Sequence, residues 1–144
     1  MFPFSIRQRV RFGGTDMAGV VYYANYLLYA EVGRMGYLRA LGIDRDRDLL
    51  AHGVDLLIGE ASVRYRAPLH FDEEFDVKVR LGEIRGSSFV LEYQVDRADG
   101  TRCAVISTIQ VIIDVTTRRA AAIPPALRAV LEAAKLEPAG RGER

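Results

Sequence analysis

The chain has 144 residues, a length that suits one domain with a single core. Twenty Lys and Arg against nineteen Asp and Glu leave a net charge of +1, which excludes an overall basic field for nucleic acid and an acidic solvating tail. Apolar residues at 49% and charged residues at 27% exclude wholesale disorder, and one cysteine (Cys103) with two histidines (His52 and His70) excludes an internal disulfide or a Cys- or His-rich metal cage. The first eleven residues carry arginines rather than an apolar run, and no stretch approaches 18 apolar residues. The expectation is a cytoplasmic protein with no membrane span.

Phe4, Ile6, Val10 and Phe12 alternate with Ser5, Arg7, Arg9 and Arg11, so the chain opens on a half-buried strand. Gly13-Gly14 breaks it, and an irregular loop, residues 15–19, follows. From Asn25 to Leu41 the apolar spacing turns helical, with Asn25 as a candidate N-cap and Gly42 as the stop. Its apolar residues fall on more than one face, which predicts a largely enclosed helix. Residues 44–53 are charged and read as a loop or a short second helix.

Four strands come next. Ala61, Val63 and Tyr65 share a face, as do Phe75, Val77, Val79 and Leu81, and Phe89, Leu91, Tyr93 and Val95. In the last, Val105, Ile109, Val111, Ile113 and Val115 are taken as the apolar face. Arg85-Gly86 and Asp99-Gly100 are turn signals. Pro124-Pro125 opens a C-terminal helix with Leu127, Val130, Leu131 and Ala134 on one face. Residues 137–144 read as a disordered tail after a single domain of residues 1–136. The predicted architecture is α+β, a curved antiparallel sheet of about five strands wrapped around one long helix. Such an open sheet has edges to cover, and pairing with a second copy covers one, so a homodimer is expected.

The loop of residues 13–19 joins a strand end to a helix start. A helix N-terminus carries unpaired N–H groups and partial positive charge, which suit a polarised carbonyl oxygen. Asp16, a few residues upstream, is placed to act on that carbonyl as nucleophile or general base. Equally, an Asp in a Gly-rich loop can do no more than close a turn.

The run Val10-Arg11-Phe12-Gly13-Gly14-Thr15-Asp16-Met17-Ala18-Gly19-Val20-Val21-Tyr22-Tyr23-Ala24-Asn25-Tyr26 resembles the opening motif of hotdog-fold acyl-CoA thioesterases. The nearest branches are the 4-hydroxybenzoyl-CoA thioesterase type and the Tol-Pal-associated type. Glu31, Arg34, Tyr37 and Leu38, and the later Tyr65-Arg66-Ala67-Pro68-Leu69, also fit the family, and the element order is similar over residues 5 to 125. The resemblance implies hydrolysis of an aromatic or short-to-medium-chain acyl-CoA to free acid and CoA. It needs no cofactor, because coenzyme A is part of the substrate.

By that resemblance Asp16 matches the catalytic carboxylate and Tyr23 the residue whose backbone N–H receives the thioester oxygen. Gly19, Val20 and Asn25 fall on the substrate-contacting segment. The Tol-Pal-associated branch often has His where this chain has Tyr23, which favours the 4-hydroxybenzoyl-CoA type or leaves the branch open, and puts the work on Asp16. Another branch carries its carboxylate on the helix, so Glu31 is a second candidate, although Arg34 lies three residues on and can pair with it. Arg85, Ser87 and Ser88 resemble the family's nucleotide-contacting turn, and Arg119 a second such position. Their guanidinium and hydroxyl groups suit phosphate. A site completed across a homodimer, or a tetramer of such dimers, is implied. Two other readings exist on this fold: a non-catalytic acyl-CoA-binding module, and a hydratase or dehydratase. The second needs a histidine in the loop-helix segment, and none lies between Gly13 and Leu41.

Overall fold

The computed structural model describes residues 2–136, so the expected tail over residues 137–144 lies outside the described residues. Five strands form one antiparallel sheet: β1 (Phe4–Arg9), β2 (Val54–Tyr65), β3 (Glu74–Ile84), β4 (Ser88–Arg97) and β5 (Arg102–Asp114), in the order β1-β3-β4-β5-β2. Helix α1 (Asn25–Ala40) crosses one face. Helix α2 (Arg45–Asp48) is a single turn capped by the Asp44 side chain, and α3 (Pro125–Leu136) closes the fold. This is the architecture the periodicity predicts.

The helix lies close to the sheet because two glycines let it. A Cβ at Gly33 would stand 2.6 Å from Val77 Cγ1, and one at Gly36 would stand 2.9 Å from Phe4 Cζ. Around that contact Phe75, Val77, Val79, Leu91, Tyr93 and Ile106 form the buried centre, and α3 adds Leu127, Leu131 and Ala134. On the other sheet face, cross-strand ion pairs such as Arg7–Asp76 (3.0 Å) and Arg80–Glu92 (2.7 Å) replace apolar contacts.

Two expectations need correction. In β5 the inward face is Ala104, Ile106, Thr108, Gln110 and Ile112, whereas Val105, Ile109 and Val111 are only half-buried. Both faces of this strand carry apolar residues, and two polar side chains on the inner one misdirected the periodicity. They are tolerated there because they are hydrogen-bonded to each other. Helix α1 is not enclosed by its own chain. Tyr26, Ala30, Gly33, Gly36 and Tyr37 are buried, but Leu27, Leu28 and Met35 are 44%, 61% and 48% exposed. Five strands cover one side of the helix and leave the other open toward β2, an edge strand whose one ladder partner among the described strands is β5.

Position along the sheet matters for the site. Val10 N–H bonds Glu73 O, so the loop after β1 sits where β3 begins. The Arg85 turn sits where β3 ends. A strand of eleven residues separates them, about 30 Å at roughly 3.3 Å per residue.

Candidate active site

The loop after β1 is folded back on itself by its own backbone. Thr15 pairs with Val21, Asp16 N–H donates to Val20 O at 2.8 Å, and Tyr22 N–H donates to Gly14 O at 3.0 Å. Gly19 makes the reversal at φ +78°, a conformation that favours glycine. The loop is then stitched to residues 69–71, with Val21 N–H on Leu69 O (2.7 Å) and Phe71 N–H on Gly19 O (3.1 Å). Val20 is half-buried in this stitch and bridges to His70.

Asp16 is exposed, and its Oδ1 accepts from Ala18 N–H at 2.9 Å. Among the described residues no donor reaches its other oxygen. One oxygen closes the turn, and the other is left without a donor. Asn25 does not cap the helix: it is the first helical residue, Ala24 holds the cap position, and the Asn25 side chain reaches back to Gly14 O at 2.8 Å. That contact explains its value to the loop better than capping does, since it ties the helix start to the Asp16 hairpin.

At the same place the Tyr23 N–H has no acceptor among the described residues. Tyr23 precedes the Ala24 cap, and the next donors along the chain, the N–H groups of Asn25, Tyr26 and Leu27, are taken by Tyr22 O, Tyr23 O and Ala24 O. The Tyr23 carbonyl accepts from the Tyr65 hydroxyl at 2.9 Å and from Tyr26 N–H at 3.3 Å, which ties the Tyr23–Ala24 peptide to β2. Sequence reasoning missed this part for Tyr65, because the partner lies 42 residues away and no local pattern announces it. A groove of about 350 Å³ opens here, lined by Val21, Tyr23, Tyr26, Tyr65, Arg66 and Pro68 among others. Burial pushes the Tyr26 hydroxyl up to about 12, so it stays neutral.

Glu31 and Arg34 form the expected pair on α1. Arg34 Nε donates at 3.0 Å and its terminal nitrogen reaches both carboxylate oxygens at 2.6 Å. They border a second cavity one to two turns further along the helix.

The turn at residues 85–88 and the segment after β5 are brought together: Ile123 N–H donates to Gly86 O (3.0 Å) and Ile112 N–H to Ser87 O (2.8 Å). Arg85 pairs with Glu83 at 3.0 Å, Arg119 is exposed, and Ser88 is buried at the start of β4. The Ser88 hydroxyl is thus poorly placed to meet a phosphate from solvent. One chain unites Asp16, Gly19, Val20, Tyr23 and Asn25, but leaves Arg85, Ser87 and Arg119 at the far end of the sheet.

A family profile described as the thioesterase-like superfamily matches residues 10–131. The chain is 30% identical over 135 residues to a 1,4-dihydroxy-2-naphthoyl-CoA hydrolase of Thermosynechococcus vestitus, covering 94% of this chain and 92% of that one. It is 27% identical over 119 residues to the acyl-CoA thioester hydrolase YbgC of Escherichia coli, covering 83% and 88%. Its fold matches the crystal structure of Slr0204, a 1,4-dihydroxy-2-naphthoyl-CoA thioesterase from Synechocystis, with TM-score 0.80 at 22% identity over 89% of this chain and 94% of that one. These matches, on a five-stranded antiparallel sheet crossed by α1, lead to one conclusion: the chain belongs to the thioesterase-like superfamily, has the hotdog fold, and is a thioester hydrolase.

Proposed function

We propose that the protein hydrolyses an aromatic or short-to-medium-chain acyl-CoA to the free acid and CoA, with Asp16 as its reactive carboxylate. The observation that carries this reading is a Tyr23 N–H with no acceptor, and one Asp16 oxygen with no donor, among the described residues. The thioester oxygen accepts from Tyr23 N–H, and the developing negative charge is stabilised by that donor and the helix start. Asp16 then acts in one of two balanced ways. It attacks the carbonyl carbon, expelling the CoA thiolate and forming an anhydride that water opens, or it takes a proton from water as that water attacks. Both routes end in a carboxylic acid and the CoA thiol, and neither calls on a cofactor.

The second copy belongs to the same proposal. Arg85 and Arg119 lie about 30 Å along the sheet from the Asp16 loop of their own chain, given the length of β3. A partner that pairs at β2 and covers Leu27 and Leu28 brings its own phosphate-binding arginines to the site. The test is thiol release from a panel of acyl-CoAs. Turnover with aromatic or short-to-medium acyl groups is expected. Binding of acyl-CoA without thiol release across the panel contradicts the assignment.

A further inference from the structure

The Asp16 loop is placed by the segment it is stitched to. Val21 N–H bonds Leu69 O, Phe71 N–H bonds Gly19 O, and between them Val20 O accepts from Asp16 N–H. Residues 68–71 therefore set where the Asp16 backbone lies. They fall in the connection between β2 and β3, and they bridge to the loop at His70. A connection of this kind has no ladder on each side to fix it, so its conformation depends on what its side chains and neighbours hold.

Two charged side chains close on it. Arg97, the last residue of β4, donates through one terminal nitrogen to Pro68 O. Glu73 Oε1 accepts His70 N–H at 2.7 Å and stands 3.0 Å from His70 Nδ1. The two side chains are also paired with each other, with Arg97 Nε 3.3 Å from Glu73 Oε2. The other terminal nitrogen of Arg97 lies 3.7 Å from exposed Asp99. Burial opposes the charge on Glu73, yet the His70 N–H, the His70 ring and the Arg97 guanidinium hold its carboxyl below the usual value. Arg97 is itself fixed in place. Its side chain is 20% exposed, its N–H bonds Thr101 O at 2.7 Å, and Ala98 N–H bonds Glu74 O at 3.0 Å. A planar fork that serves a carbonyl and a carboxylate at once is what a guanidinium provides.

We infer that Arg97 and Glu73 are positioning residues for the hydrolysis, holding residues 68–71 so that the Asp16 loop keeps one geometry beside the start of α1. They act through Pro68 and His70, then Leu69 and Phe71, then Gly19 and Val21, and neither needs to touch the substrate. The inference rests on the thioesterase reading above, with Asp16 as the reactive carboxylate. A reacting group displaced by about 1 Å loses far more in rate than the displacement costs in binding, so the effect falls on kcat.

The experiment measures kcat and KM for thiol release by Arg97→Ala and Glu73→Gln, each alone and combined with Asp16→Asn, with near-ultraviolet circular dichroism and urea midpoints to establish folding. Glu73→Gln keeps an acceptor for His70 N–H and sets a neutral amide against Arg97, so it breaks the ion pair with little change of shape. Arg97→Ala is expected to lower kcat about ten- to hundredfold with KM within about threefold, and Glu73→Gln to lower it about three- to tenfold. Added to Asp16→Asn, either substitution is expected to cost less than about twofold, because the carboxylate it positions is gone. Arg80→Ala, which breaks an ion pair with Glu92 on the other sheet face, is expected to leave kcat unchanged. A kcat within about twofold of wild type in Arg97→Ala, or in Glu73→Gln where Arg97→Ala does not fold, overturns the inference. So does a loss that multiplies in full onto Asp16→Asn, or one that Arg80→Ala reproduces. In each of these cases the thioesterase reading stands. Absence of thiol release by the wild type from every acyl-CoA, or full activity in Asp16→Asn, overturns that reading itself.

Discussion

At the scale of single residues, the Asp16 loop depends on contacts made by neighbours rather than by Asp16 itself. Asn25 is the clearest case. Its side chain bonds Gly14 O, the same carbonyl that receives Tyr22 N–H, so it locks the hairpin to the first turn of α1. Asn25→Ala removes one half-buried hydrogen bond, and a loss of about 1 kcal/mol is expected in urea denaturation. The larger effect is expected on kcat, because Asp16 and the Tyr23 amide then hold their relation less tightly. Gly33 shows the opposite sensitivity. Gly33→Ala puts a methyl 2.6 Å from Val77 Cγ1, and the helix must move off the sheet. A destabilisation of about 1–3 kcal/mol is expected, visible as a lowered urea midpoint. Neither contact is visible in the sequence, because both partners are distant in the chain. What was legible was the residue package from Thr15 to Tyr26, which located the loop and the family. The Asn25 capping expectation failed because the helix begins at Asn25 itself, one position too late for a cap.

At the scale of elements, periodicity was informative where one face was cleanly apolar. Strands β3 and β4 fold with the predicted residues inward, and α1 ends one residue before Leu41. It failed at β5, where a hydrogen-bonded Thr108–Gln110 pair occupies the inner face and valines and isoleucines the outer. It also missed the first half of β2, from Val54, because Gly59 interrupts the alternation at a register shift. The exposed side of α1 and the free edge of β2 belong together. Leu28 and Ile58 are 61% and 43% exposed, and the outer edge of a twelve-residue strand invites pairing. If a second copy covers them, Leu28→Lys or Ile58→Lys raises the dimer dissociation constant at least about tenfold, since each places a charge in an apolar contact. Sedimentation velocity checks this. Activity is expected to fall together with association, because the arginines that face CoA come from the other chain in this account. A wild type that is active as a monomer contradicts it.

At the scale of the whole molecule, the nearly neutral balance of charge conceals local pairing that sets the response to acid. A hydrogen bond from Arg47 holds the Asp48 carboxyl below the usual value, one from Arg45 does the same for Asp55, and the N–H groups of Thr117 and Thr116 do so for Asp114. A depressed folded-state value means the carboxylate form favours the fold. That contribution is complete above the unfolded carboxylate value of about 4, and it is lost as pH falls through the lower folded-state value. Urea midpoints are therefore expected to decline from about pH 5 toward pH 2, and Asp55→Asn should shallow the decline. Smallness has its own consequence at this scale. A chain with one sheet and one long helix presents the Asp16 loop and the Arg85 turn at opposite ends of β3, so the proposed site needs a second copy to bring the two together.

The proposed hydrolysis rests on the Asp16 carboxylate. The direct measurement is steady-state thiol release by wild type and Asp16→Asn on the best acyl-CoA, with matching circular dichroism to establish equal folding. A loss of about 10²–10⁴-fold in kcat is predicted, the range for removing a positioned acid–base or nucleophilic group. A variant that turns over within a few-fold of wild type would place the chemistry on another residue.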